Sequence, residues 1–260
     1  MAMTSASCSN GREAIAQRRT LGLVSWSAVV LMLVARSAFS FAAQALVAGV
    51  FALDGSPTPW LAAARWLPLY AALIDGGCLA ALWWFTRREG IALFALFSVA
   101  RNRWGRDVVI GLALIPVSLA LIVSGIAASS QLVYGTVHPP EVLEPLPLVP
   151  AIYAVLVFPV LWGITEQMTY NGFVLPRLQV LRGTVTAVAL VTCLWSFQHA
   201  LQPLRLDGEL MLYRALAPIP FSAFSCLAYL RIRRLLPFVI AHALMDGGDA
   251  FVTVLWPLVR

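Results

Sequence analysis

The sequence predicts an all-α fold, a polytopic transmembrane helix bundle of about seven spans, and three observations carry that expectation. Of 260 residues, 60% are hydrophobic and 12% charged, with mean hydropathy +0.83, whereas a soluble domain carries about 25% charged residues. The apolar residues fall in runs near the roughly 20 that a helix needs to cross about 30 Å of hydrocarbon. The basic residues gather in alternate connections between those runs. A water-soluble globule is thereby excluded, and the net charge of +6 reads as membrane orientation, with no nucleic-acid partner expected.

Taken in order, the expected spans are 21–53, 66–85, 108–134, 148–175, 184–201, 210–230 and 235–258. The first is long enough to be a tilted or protruding helix. Its flanking Arg12, Arg18 and Arg19 with small residues near Ala43 also resemble a cleaved leader, but the apolar run continues through Leu53, which favours a span. Arg36 inside it either snorkels or faces the bundle. The apolar stretch 91–100 lies between arginines and is too short to cross, so it is expected in the cytoplasmic interface. Pro139, Pro140, Pro145, Pro147 and Pro150 punctuate one loop, and Pro218 with Pro220 should kink the sixth span. Two parts are expected: residues 1–104, holding the tail, two spans and the interfacial segment, and residues 105–258.

All eighteen basic residues are arginine, and if seven spans alternate, thirteen of them share one side: Arg12, Arg18, Arg19, the five from Arg87 to Arg106, Arg177, Arg182, Arg231, Arg233 and Arg234. Glu141 and Glu144 lie opposite, with Asp54, Arg65, Arg205, Asp207, Glu209 and Arg260. That asymmetry predicts a cytoplasmic N-terminus and an external C-terminus. Cys8, Cys78, Cys193 and Cys226 show no CxxC spacing, so neither a disulfide framework nor a zinc knuckle is indicated.

Ionisable side chains near the bilayer centre cost about 2.5–3.5 kcal/mol even on a lenient scale, so those present are functional candidates. They gather late in the chain: Glu166, Gln167, Asn171 in the fourth span, Trp195 and His199 at the end of the fifth, His242 and Asp246 in the seventh. At 1.5 Å per residue from the arginine-rich ends, Glu166, His199, His242 and Asp246 lie about 15, 22, 11 and 17 Å deep, close to one layer. His242 and Asp246, four apart, share a helix face. Asp75 and Asp249 read as cavity or interface residues, and Arg214 as a snorkelling side chain.

Glu166-Gln167-x-x-x-Asn171, Trp195-x-x-x-His199 and His242-x-x-x-Asp246, each on a separate late span, resemble the boxes of the CPBP intramembrane proteases, which include CAAX prenyl endopeptidases and bacterial Abi-type relatives. The resemblance covers about residues 105–258 and implies Glu166, His199, His242 and Asp246 as catalytic, with Trp195 as the aromatic of the second box. Gln167 and Asn171 stand where the family has Glu and Arg, so an ion pair would become an amide pair that still hydrogen-bonds at i,i+4.

The resemblance implies a glutamic mechanism without a metal or other cofactor. A buried carboxylate, Glu166, can activate water, His199 can help position or deprotonate it, and His242 with Asp246 can orient the scissile carbonyl and stabilise its developing charge. Zinc held by Glu166, His199 and His242 is the open alternative, although no HExxH run occurs. The expected setting is a bacterial inner membrane, with lipid and a prenylated or membrane-associated peptide or protein as partners. A non-catalytic relative that binds a peptide, lipid or helix in the same cavity is the alternative from the binding class. A small transporter ranks behind it, because no inverted repeat is evident.

Overall fold

A computed structural model describes residues 10–98, 103–138 and 144–259. The expectations at Cys8, Arg101, Pro139, Pro140, Glu141 and Arg260, and the end of the 91–100 stretch, fall outside the described residues. The helices are α1 (Arg12–Thr20), α2 (Trp26–Leu53), α3 (Pro59–Ala64), α4 (Leu67–Arg88), α5 (Trp104–Tyr134), α6 (Leu148–Leu156), α7 (Phe158–Gln167), α8 (Leu175–Arg182), α9 (Thr184–Gln198), α10 (Gly208–Leu216), α11 (Ile219–Ile232), α12 (Leu236–Ala250) and α13 (Trp256–Val259). Among the described residues there is no strand, only an isolated bridge between Leu201 and Leu204.

Six helices are long and apolar enough to cross a membrane: Trp26–Leu53, Leu67–Arg88, Trp104–Tyr134, Leu148–Arg182, Gly208–Ile232 and Leu236–Val259. The seventh apolar helix, α9, has 15 residues and is about 22 Å long. About seven spans are therefore present. Leu46, Val109, Val123 and Leu156 are exposed on them, as lipid-facing side chains are. The fourth unit is jointed: α6 gives way to α7 at Val157, and a π-helical turn, Met168–Val174, separates α7 from α8. As the prolines predict, the sixth breaks between α10 and α11, at Ala217 and Pro218.

The main apolar core draws on both parts of the chain. Val29 and Met32 of α2 and Ile74, Cys78 and Leu82 of α4 join Tyr170, Phe173, Val191, Trp195 and Tyr229. With no water to exclude between helices in lipid, close packing through small residues carries much of the association. A Cβ on Gly125 of α5 would collide with the Ala217 carbonyl at the α10–α11 break. On α7, a Cβ at Gly163 would lie 3.3 Å from the Ala243 backbone nitrogen, so glycine there lets α7 and α12 approach.

Two expectations for the arginine-rich face change. Arg18 and Arg177 are fully buried instead of lying in solvated loops. Both converge on Glu89 at the end of α4: Arg177 grips it with Nε (2.6 Å) and Nη2 (2.7 Å), and Arg18 Nε lies 3.3 Å away. The Arg177 guanidinium also sits 3.9 Å from the Phe173 ring centre and donates to the Phe173 carbonyl. Asn10 donates to the Gly172 carbonyl at 2.7 Å, so α1, α4 and the π turn are locked together. The stretch after α4 is likewise not purely interfacial: Leu93–Phe97 is a short 3₁₀ turn whose Leu96 is buried against that π turn, while Phe94 stays exposed.

Removing one partner from a buried ionic cluster leaves uncompensated charge and costs about 3–5 kcal/mol. Glu89→Ala is therefore expected to lower the thermal stability of the detergent-purified protein by that order, and an unchanged melting temperature would contradict the role given to this cluster.

Candidate functional site

Glu166 is the penultimate residue of α7 and is fully buried. Its neighbour across the α7–α12 contact is His242, whose Nε2 lies 3.2 Å from Glu166 Oε2. The same Nε2 lies 3.3 Å from Asp246 Oδ2, one turn along α12. The helical spacing of His242 and Asp246 thus produces the shared face that it predicts. Gly163 makes this possible, because it sits 3.5 Å, measured from where its Cβ would be, from His242 Cβ, one turn before Glu166.

The two amides of the first box form a relay behind the imidazole. Asn171 Nδ2 donates to Gln167 Oε1 at 2.7 Å and to Ser225 Oγ of α11 at 2.9 Å. With its oxygen so engaged, the Gln167 amide turns its Nε2 toward His242 Nδ1, at 3.1 Å. With Nδ1 placed to accept from that amide, Nε2 is the ring nitrogen left facing the two carboxylates. The expected amide pair exists, and it reaches further than its own helix.

Glu166 Oε1 is held from the other side. Gln198, the last residue of α9, donates to it through Nε2, and the Tyr170 hydroxyl donates to Gln198 Oε1 at 2.9 Å. Arg36 Nε of α2 lies 3.9 Å from the same oxygen, and Arg36 Nη1 pairs with Asp75 of α4 at 3.0 Å. The Arg36 guanidinium stands 4.1 Å over the Trp162 ring. Arg36 therefore faces the bundle, and Asp75 is its partner.

Trp195 stacks on Tyr170 with ring centres 5.2 Å apart and meets Phe221 edge-on, while Phe221 meets the His242 ring edge-on at 5.9 Å. This aromatic wall keeps the ion and amide groups in a dry setting. Exposure rises toward Asp246, whose side chain is 29% accessible against 7% for His242 and none for Glu166.

His199 is placed differently from the other three. It caps α9, half-buried, close enough to Glu166, His242 and Arg214 for their charges to act on it, but with no side-chain hydrogen bond to them. The turn that follows is pinned on α2: Ser40 donates to the Leu201 carbonyl, Gln44 to the Leu204 carbonyl, and Gln202 to the Arg36 carbonyl. Arg214 does not snorkel; it donates to the carbonyls of Gln202 and Pro203. Among the described residues no three His, Cys, Asp or Glu side chains are grouped to hold a metal ion.

Sequence reasoning did not single out Gln198 or Ser225, offered Tyr170 only as a packing partner of Glu166, and gave Arg36 no role here. Gln198 had a signal, since it precedes His199 in the second box; Ser225 and Tyr170 are polar groups inside apolar helices. The pairing of Arg36 with Asp75 spans 39 residues and has no local spacing to betray it.

The arrangement defines a class: a membrane helix bundle with a carboxylate, an imidazole and a second carboxylate in its interior. Residues 147–248, which contain all three boxes, match the family described as type II CAAX prenyl endopeptidase Rce1-like. The match supports a likeness of that segment to the CPBP/CAAX proteases. No curated protein and no solved structure matches the chain.

Gln167→Leu would strip His242 Nδ1 and one Asn171 donor of their partner, and leaving buried polar groups unpaired costs about 1–3 kcal/mol. The expected outcome is a loss of that order in thermal unfolding of the purified protein; wild-type stability would show that the relay holds nothing in place.

Proposed function

We propose that this protein is an intramembrane endopeptidase of the glutamic type, hydrolysing a peptide bond in a membrane-associated or prenylated peptide or protein. The observation that supports this reading most directly is the asymmetric environment of Glu166. Oε1 is capped by Gln198, whereas Oε2 faces His242 without a hydrogen bond of its own. A carboxylate with one oxygen fixed and the other turned to an imidazole has the geometry of a general base.

In the proposed reaction Glu166 Oε2 takes a proton from water, and the water oxygen forms a bond to the scissile carbonyl carbon. His242 Nε2–H, aligned by Asp246 and Gln167, stabilises the oxygen that becomes negative. When the intermediate collapses, the C–N bond breaks and Glu166 returns its proton to the leaving amine, so water supplies the OH of the new carboxyl group and the H of the new amine, and no other reactant is consumed. His199, near both groups, helps to position the water. No metal step is invoked.

The competing reading is a non-catalytic relative that uses the same interior to bind a peptide, lipid or partner helix; the neutral Gln167–Asn171 pair is the feature that favours it. A bacterial inner-membrane setting with a cytoplasmic N-terminus and an external C-terminus belongs to the proposal, on the strength of the arginine asymmetry.

The test compares membrane peptides in cells producing wild-type protein or Glu166→Ala. A peptide processed only by the wild type, and left intact by Glu166→Ala, His199→Ala and His242→Ala, is the expected result, with each variant losing at least about 100-fold in rate. Processing by Glu166→Ala at the wild-type rate would refute the assignment, and absence of any processed peptide would favour the binding reading.

A further inference from the structure

The family match begins at residue 147, yet the cation nearest to Glu166 Oε1 comes from well before it. Arg36 of α2 is fully buried, as is Glu166, and its Nε lies 3.9 Å from Oε1. Two contacts fix the guanidinium, Asp75 at Nη1 (3.0 Å) and the Trp162 ring against its face, while Gln202 donates to the Arg36 backbone carbonyl. Nε and Nη2 are buried without a geometric hydrogen bond, and Nε is the atom that lies toward Glu166. Within the first box itself Asn171 is neutral and points away, to Gln167 and Ser225.

A pair that served only to tie α2 to α4 would need Arg36 and Asp75 alone. Here the side chain is long enough to reach past Asp75 to the α7 surface, and its face is packed on Trp162, one turn before Glu166. A fixed positive charge at that spot acts on one oxygen of the carboxylate more than on the other, because Coulomb attraction falls with distance and is strong in a low-dielectric interior.

We propose that Arg36, clamped by Asp75 and Trp162, is a positioning residue for Glu166: it holds Oε1, together with Gln198, so that Oε2 is the oxygen presented to the reacting water. The proposal rests on the proteolytic reading above and adds α2 and α4 to the working unit. Arg36 touches neither water nor substrate in this role, and acts only through Glu166.

The test uses the full-length protein in lipid nanodiscs with a farnesylated, internally quenched peptide ending in a Cys-aliphatic-aliphatic-X sequence. Arg36→Met combined with Asp75→Leu removes both charges of that pair together, so Asp75 is not left as an unpaired ion and Glu166 keeps Gln198 and His242; folding should survive, as an unchanged melting temperature would show. That variant is expected to lose roughly 100-fold in kcat with KM within about twofold, the signature of a misplaced group and not of lost binding. Arg36→Lys, which keeps a cation, should retain kcat within about tenfold of wild type, while Arg36→Gln falls as far as the double variant.

Wild-type kcat in the double variant, with Glu166→Ala inactive, would overturn the role of Arg36 and leave the proteolytic reading standing. If the double variant does not fold, the single variants decide: Arg36→Lys as slow as Arg36→Gln in folded protein would equally overturn it. Cleavage by Glu166→Ala at the wild-type rate, or no cleavage by the wild type, would instead bring down the proteolytic reading and this proposal with it.

Discussion

A carboxylate with no exposure to solvent is the constraint around which the interior of this bundle is arranged. Transfer of such an ion from water costs several kcal/mol even after relaxation, and only close, well-oriented partners repay it. Glu166 has them from three helices besides its own: Gln198 of α9, His242 of α12, and Arg36 of α2, itself held by Asp75 of α4. Each partner is oriented in turn, Gln198 by Tyr170 and His242 by Gln167 and Asp246. Helices α2, α4, α7, α9 and α12 are thus tied together through one side chain.

Two polar layers, stacked along the fourth unit, keep those helices in register. The deeper layer is the Glu166 network, and the other is the Glu89 cluster with Arg18 and Arg177. The π turn Met168–Val174 joins them, and π turns tend to occur at functional positions. Its carbonyls at Gly172 and Phe173 are bonded by Asn10 and Arg177, so the wider turn is stabilised by groups from elsewhere in the chain. Close approach at Gly163 then sets the reach from Glu166 to His242.

The helical, membrane-spanning class was legible because hydrophobic runs and arginine-rich connections are local properties of the chain. The His242–Asp246 face and the Gln167–Asn171 pair were legible for the same reason, since i,i+4 spacing on a helix fixes who meets whom. What the sequence hid was long-range. Arg18 and Arg177 look like ordinary orienting arginines, and only folding reveals that Glu89 draws them inside. Arg36 reads equally well as a snorkelling residue until α2 is set against α7. The difference at His199 has a helical cause: α9 ends at Gln198, which puts the glutamine on Glu166 and leaves the histidine beside it.

Taken together, the amide relay and the arginine at Oε1 supply a coherent alternative to a charged first box. Neutral Gln167 and Asn171 still orient His242, while positive charge reaches Glu166 from α2. The central claim is that Glu166 acts on water and forms no covalent bond to substrate. Single-turnover cleavage in ¹⁸O-water tests it most directly: the account predicts one ¹⁸O in the newly formed peptide carboxylate and none in the Glu166 side chain after digestion and mass spectrometry. Incorporation of ¹⁸O into Glu166, the mark of an acyl-enzyme anhydride opened by water, would contradict it.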